Sequence, residues 1–419
     1  MVSQSHTIVI RISRKIDIKT FLEWCISFLV IALCQTVYLR MQGSDLRAAS
    51  HILLIILQIG YVILLTKGVE IDGEIYIQLR NWLVMHYLMA AIFFMFNAIW
   101  YDASNYIGRF MVIYPIFVVI FSVDSTSFYG IMQKVVSLMV AIAAVSIFFW
   151  FFSSILHFIS PSGYIYANWG GGYQRFDSFH RLYFQRQDEV FFGHYFIRNI
   201  GCFTEAPMYS FCLTVAILAE VFLYETNRVR ILILYVALIT TFSTTGIVIG
   251  IMALVGKYFM ENEIKDRKEI LYIVAIGTII VWLGGYAAYR ILMEKIGIRG
   301  WAGRLAGLQK GFGLMNSNFM FGAGFSNEET RSKAGSVLIS GVGTIMAQGG
   351  IILLVMNLIP FVFIWSRKGY KESIKRLSIF AAFIFLELFM SVVQYQPIML
   401  MIQAALLGVG INSSRNYAE

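Results

Sequence analysis

The stretch Arg198-Asn199-Ile200-Gly201-Cys202-Phe203-Thr204-Glu205-Ala206-Pro207 sets a guanidinium and a carboxylate just ahead of a long apolar run. Pro207 suits the first turn of a helix, where its missing N–H costs nothing. The helix it opens directs its positive dipole end toward whatever precedes it, and a phosphate or a developing anion is favoured there. Arg198 can bind phosphate oxygens through a planar fork. Glu205 fits two roles. It can cap the helix against the dipole, or it can accept a proton as a general base.

Upstream lies an aromatic and basic segment, Asn168-Trp169-Gly170-Gly171-Gly172-Tyr173 followed by Arg175, His180, Arg181, Arg186 and His194. Rings stack on apolar sugar faces while Arg and His take phosphate or hydroxyl oxygens, so Trp169, Tyr173, Arg175, His180, Arg181 and His194 are candidate contacts to a sugar-phosphate ligand. A loop lying on a membrane, with aromatics at the interface and Arg snorkelling to headgroups, has the same composition. A second basic segment holds Arg290, Lys295, Arg299, Arg304, Lys310, Arg331 and Lys333 against Glu294, Glu328 and Glu329. Such a surface attracts an anionic lipid-linked substrate. Gly322-Ala323-Gly324 suits either close backbone approach to a ligand or an ordinary turn.

The elements that must position these groups are set by composition. Of 419 residues, 58% are hydrophobic and 14% charged, against roughly 25% charged in an ordinary soluble domain. This excludes a soluble globular enzyme, a coiled coil and a disulfide scaffold. Long continuous apolar runs, rather than alternation, disfavour a transmembrane β-barrel. Taking about 20 residues per crossing, the runs predict about twelve spans. They lie near 21–39, 49–66, 82–100, 106–122, 134–157, 207–224, two within 229–260, 270–289, 348–365, and two within 377–411. The 229–260 stretch divides at the polar turn Thr240–Gly246, and 377–411 at Gln394-Tyr395-Gln396-Pro397. The expectation is an all-α polytopic protein, 1–419 forming a single integral membrane domain.

Orientation follows from the basic residues. Most of the 33 Lys and Arg fall in segments that are cytoplasmic if the N-terminus is inside, including Lys265, Arg267, Lys268 and Arg367 to Arg376. The short outer loops hold only Arg40, Arg47 and Arg109. Both termini are therefore expected in the cytoplasm. The two long segments, 158–206 and 290–335, are expected outside and bearing short helices. Within the spans, Glu220, Glu387, His86 and His157 are the main ionisable groups, fewer than an ion-coupled transporter would need. Cys25, Cys34, Cys202 and Cys212 form no pair or cluster with metal-ligand spacing.

The pattern R-x-x-G-x-F-x-E-A-P at 198–207 resembles that of the O-antigen and capsule polymerases (Wzy-type), within the wider O-antigen polymerase/ligase superfamily. The polar turn Phe242-Ser243-Thr244-Thr245-Gly246 is similar too. So is the late sequence Gly303-Arg304, Gly311-Phe312, Asn318-Phe319-Met320-Phe321-Gly322-Ala323-Gly324, with Gln348-Gly349-Gly350 opening a span. The likeness covers roughly residues 160–365. It implies a GT-C-like glycosyltransferase of the bacterial inner membrane, metal-independent, inverting and without a cofactor. The substrate implied is undecaprenyl-pyrophosphate-linked oligosaccharide, polymerised on the outer face, with a chain-length-regulating copolymerase as a candidate partner and no nucleic acid. On that resemblance Arg198, Arg304 and Arg299 would hold the pyrophosphate and Glu205 would be the base. The superfamily's ligases carry an Arg in the polar turn and a late His. Here Thr244 and Thr245 fill the turn and no His follows His194, which favours a polymerase over a ligase. A polysaccharide or lipid transporter is the alternative from another class.

Overall fold

The computed structural model describes residues 17–43, 45–67, 71–96, 107–169, 172–191, 194–261, 301–324, 340–367 and 372–413. The chain is predominantly helical. Helix α1 is Ile18–Ala32, α2 Leu46–Thr66, α3 Gly73–Phe96 and α4 Tyr114–Val123. A π-helical turn, Ile107–Ile113, leads into α4. Helix α5 is Thr126–Phe149, α6 Ala206–Phe222, α7 Arg228–Thr240 and α8 Thr244–Glu261. Helix α9 is Trp301–Ser317, α10 Gly341–Ser366, α11 Glu372–Met390 and α12 Pro397–Asn412. Among the described residues, four helices are long and apolar enough to cross a membrane: Leu46–Thr66, Gly73–Phe96, Thr126–Ile155 and Gly341–Ser366. Shorter apolar helices include Gly108–Val123, Ala206–Phe222, Thr244–Met260 and Pro397–Asn412. The expected span 270–289 lies outside the described residues.

Two helices form the centre. Both α6 and α12 are buried along almost their whole length, as a helix apolar on every side requires. In contrast α2 turns Ile52, Ile56 and Ile63 outward, which suits lipid rather than water. The polar turns expected at Thr240–Gly246 and Gln394–Pro397 are the real breaks between α7 and α8 and between α11 and α12. One end of the helices is tied by Lys19 to Asp124 (2.8 Å) and by Asn412 to the Ser122 carbonyl (2.9 Å). Below the surface there, Lys134 on α5 pairs with Glu23 on α1 at 2.9 Å, and Tyr61 on α2 donates to the same carboxylate. A buried charge with its partner and a hydroxyl is the form in which ionisable groups are tolerated inside such a bundle.

The opposite end carries the segment 158–206, and here an expectation fails. The segment forms β-hairpins, not short helices, so the chain is not all-α. Strand β1 (Gly163–Trp169) pairs antiparallel with β2 (Gly172–Phe179), which pairs with β3 (Tyr183–Gln185). Strands β4 (Asp188–Phe191) and β5 (His194–Ile197) make a second hairpin. The cause is the period-two pattern. Ala167 and Phe176 are buried while Tyr164, Tyr166, Tyr173 and Arg175 face out, and aromatic residues favour the pleated surface. Trp169 pairs with Gly172, across the Gly-Gly composition that short hairpin connections use.

Gln348-Gly349-Gly350 stand at a break in α10. The first part follows Ser340, whose hydroxyl accepts from the Gly343 N–H, and a second part opens just after Gly350, which has φ +57° and ψ −151°. The loop after α9 repairs the break. The Ala323 and Gly324 N–H groups donate to the carbonyls of Ala347 (2.7 Å) and Gln348 (3.1 Å). The Ile351 and Ile352 N–H groups donate to Phe319 (2.9 Å) and Met320 (3.4 Å). Backbone groups freed inside a bundle must find such partners. Gly322 therefore does make a close backbone approach, but to its own chain. A Cβ there would stand 2.6 Å from the Gly350 nitrogen.

Candidate functional site

Glu205 occupies the N-cap position of α6 with extended backbone, yet its side chain makes no capping bond. The Ala206 N–H, at the first helical position, donates to the Gln187 side chain at 2.8 Å. The Glu205 carboxylate accepts from the Trp169 indole Nε1 at 3.1 Å. The half-buried carboxylate is thus turned toward the β1–β2 hairpin and not back onto the first turn of α6. Trp169 sits on the inward row of β1, two residues beyond Ala167, which bridges to Met41. Arg186 lies over the Trp169 ring (5.2 Å) and bonds the Arg175 carbonyl and the Gln174 side chain.

Arg198 directs its Nε to the Thr241 carbonyl at 2.8 Å, at the end of α7. Neighbouring Asn199 donates to Ser146 and Thr240 and accepts from the Gly201 N–H. The motif residues 202–204 pair with residues 35–37, the Val37 N–H meeting the Cys202 carbonyl at 2.9 Å. The stretch 198–205 is therefore pinned from three sides, to α5, to the α7–α8 turn and to the segment after α1. That is how Glu205 is held.

The other expected residues divide. Tyr173 and Arg175 lie on the outward row of the sheet, where Arg175 pairs with Asp177 (3.1 Å) and covers the Tyr164 ring at 4.7 Å. His180 and Arg181, both at positive φ, form the β2–β3 turn, at the end of β2 remote from Trp169. The structure does not bring these four to Glu205. His194 lies in β5 and Arg304 in the first turn of α9; the side chains of both lie outside the described residues. Arg299, Arg290, Lys295, Glu294, Glu328, Glu329, Arg331 and Lys333 also lie outside them.

Three arginines that the sequence reading passed over are brought to this end. Arg40 ends a 3-10 turn, Val37–Arg40, beside the strand bridge of Met41 to Ala167. Arg47 opens α2, and its carbonyl bonds His51 Nδ1 at 2.8 Å. Arg109, in the π-helical turn, is 7% exposed and donates to His51 Nε2 (3.2 Å) and the Tyr395 carbonyl (2.9 Å). The three are close enough to repel one another, and Arg40 is close enough to feel Glu205. Burial and then Arg47 push the Arg40 guanidinium down to about 10, while Glu205 pulls the other way. The available signal was their location. The short outer loops hold few basic residues, and those few are three arginines and no lysine.

No protein-family model matches the chain, and no curated protein matches it.

The arrangement supplies an oriented carboxylate beside an indole, two helix starts and a group of guanidinium cations. A carboxylate held by one donor at one oxygen can take a proton at the other. Cations fixed in a partly dehydrated place stabilise a departing anion without reorganising.

Proposed function

We propose that the protein is a glycosyltransferase that polymerises undecaprenyl-pyrophosphate-linked oligosaccharide units into surface polysaccharide. It is an inner-membrane protein of about twelve spans with a GT-C-like plan, both termini cytoplasmic and the site on the outer face. The acceptor sugar hydroxyl attacks the anomeric carbon of the donor. The bond from that carbon to the pyrophosphate breaks, with inversion, and Glu205 takes the hydroxyl proton. Trp169 orients the carboxylate and offers a ring to the sugar. Arg198, with Arg304 and Arg299, is assigned to binding the leaving pyrophosphate. The observation that carries this reading is that the Glu205 side chain makes no capping bond to α6 and is oriented instead by Trp169.

The test is the glycan ladder of a deletion strain complemented with wild type or with Glu205→Gln. A polymerase leaves single repeat units attached to acceptor when it is lost. A ligase leaves unattached lipid-linked polymer, and a transporter leaves repeat units stranded inside the cell. Single repeats in the deletion strain and in Glu205→Gln are expected; either other pattern overturns the proposal.

A further inference from the structure

We infer that Arg40, Arg47 and Arg109 form an anion site that takes the diphosphate of a lipid-linked substrate, beside Glu205. The site is distinct from the arginines of the 198–205 stretch and of the second long loop. It deepens the function proposed above and rests on it for which lipid carries the diphosphate.

Arg109 carries the argument. Its side chain is buried, Nε and Nη1 are used by His51 and Tyr395, and the buried Nη2 has no partner. An unpartnered guanidinium nitrogen in such a place costs far more than a neutral group, unless something is bound there. The neighbouring Gln394, another polar side chain, is 1% exposed. Among the described residues, no carboxylate lies within 4.0 Å of Arg40, Arg47 or Arg109, although each repels another of the set. Charge that is gathered, dehydrated and uncompensated is what an incoming multivalent anion would neutralise.

The backbone agrees with the side chains. The central helices α6 and α12 both begin at this end, each with Pro in its first turn. Tyr395, whose carbonyl receives Arg109, stands just before α12, as Glu205 stands just before α6. Two positive dipole ends therefore add to three guanidinium groups. Arg rather than Lys at all three places suits the oxygens of a phosphate, which a planar fork meets in pairs. The Tyr395 hydroxyl also donates to Gln348 Oε1 at 2.7 Å. This links the site to the broken part of α10, whose Gln348 carbonyl receives Gly324.

The test uses the purified full chain in phosphatidylcholine nanodiscs, titrated with farnesyl diphosphate and with inorganic pyrophosphate. Wild type is expected to bind both. The half-buried Arg40→Gln and Arg47→Gln, which spare the core, are each expected to weaken binding about tenfold or more. Arg109→Gln is expected to abolish it. Thermal unfolding of each variant reports whether it is folded. Equal affinity in wild type and in folded Arg40→Gln and Arg47→Gln would overturn the site, as would absence of binding by wild type. Binding that appears only with phosphatidylglycerol in the disc, and not with either diphosphate, would make it a lipid-headgroup contact and overturn the assignment. Arginine-dependent diphosphate binding in a chain whose deletion leaves the glycan ladder intact would keep the site and remove the polymerase. A ladder lost on deletion, with arginine-independent binding, would do the reverse.

Discussion

At the scale of single residues, the decisive contrast is between Glu205 and Gln187. A carboxylate just ahead of a helix is ordinarily a cap, and substitution of a working cap costs about 1 kcal/mol. Here the Gln187 side chain holds the Ala206 N–H and Trp169 holds the Glu205 carboxylate. Glu205→Gln is therefore expected to leave the unfolding midpoint in detergent nearly unchanged while stopping polymer formation. A fall in midpoint with polymer retained would return Glu205 to a capping role. Trp169→Phe keeps a ring but loses the donor. Its expected result is a stability loss of roughly 1 kcal/mol and a larger loss of turnover, read as kcat falling more than the apparent donor affinity. Arg198→Lys separates clamp from staple. A lysine can still reach the Thr241 carbonyl, so the fold should persist, and any deficit in ladder length then reports the missing fork.

At the scale of elements, the break in α10 is the feature on which most geometry depends. Four backbone hydrogen bonds from residues 319–324 replace those that the helix loses at Gly349 and Gly350. Gly322 makes this possible, with φ +66° and no side chain. Gly322→Ala is expected to be destabilising by about 3 kcal/mol or more, because a Cβ would meet the Gly350 nitrogen at 2.6 Å and the Ala347 oxygen at 2.7 Å. A lowered midpoint in detergent checks this; an unchanged one would mean that the loop can slide without cost. The β1–β2 hairpin is the second such element, since its inward row delivers Trp169 and its outward row sends Tyr173 and Arg175 away. On the proposed function, a sugar contact at Tyr173 or Arg175 would belong to a different part of the glycan from one at Trp169.

At the scale of the whole molecule, hydrogen bonds sort the chain into two ends. Lys19, Asp124, Ser122 and Asn412 meet at one, and Arg109, Tyr395, Thr241 and the hairpins meet at the other. With the N-terminus inside, the second end is external. Tyr173→Cys, exposed on β2, is expected to react with an impermeant maleimide in intact cells, whereas Glu74→Cys, at the start of α3, should react only after permeabilisation. Native Cys34, Cys202 and Cys212 are buried and should stay silent. The opposite labelling pattern would invert the topology and place the Glu205 end in the cytoplasm.

Hydropathy alone determined that the chain is a set of apolar helices, and where the polar turns at Thr240–Gly246 and Gln394–Pro397 interrupt them, because burial of apolar runs is additive along the sequence. It also marked residues 198–207 as a helix start preceded by charge. What period and composition left undecided was which partners each group meets. Whether Glu205 caps or faces a ligand depends on Gln187 and Trp169, reached through a hairpin whose alternating pattern is readable but whose packing against Met41 is not. The meeting of Arg40, Arg47 and Arg109 depends on how α1, α2 and the π-helical turn pack around α12. No local pattern encodes such a contact, since electrostatic repulsion and burial act between residues that the chain separates by tens of positions and only the fold brings within range.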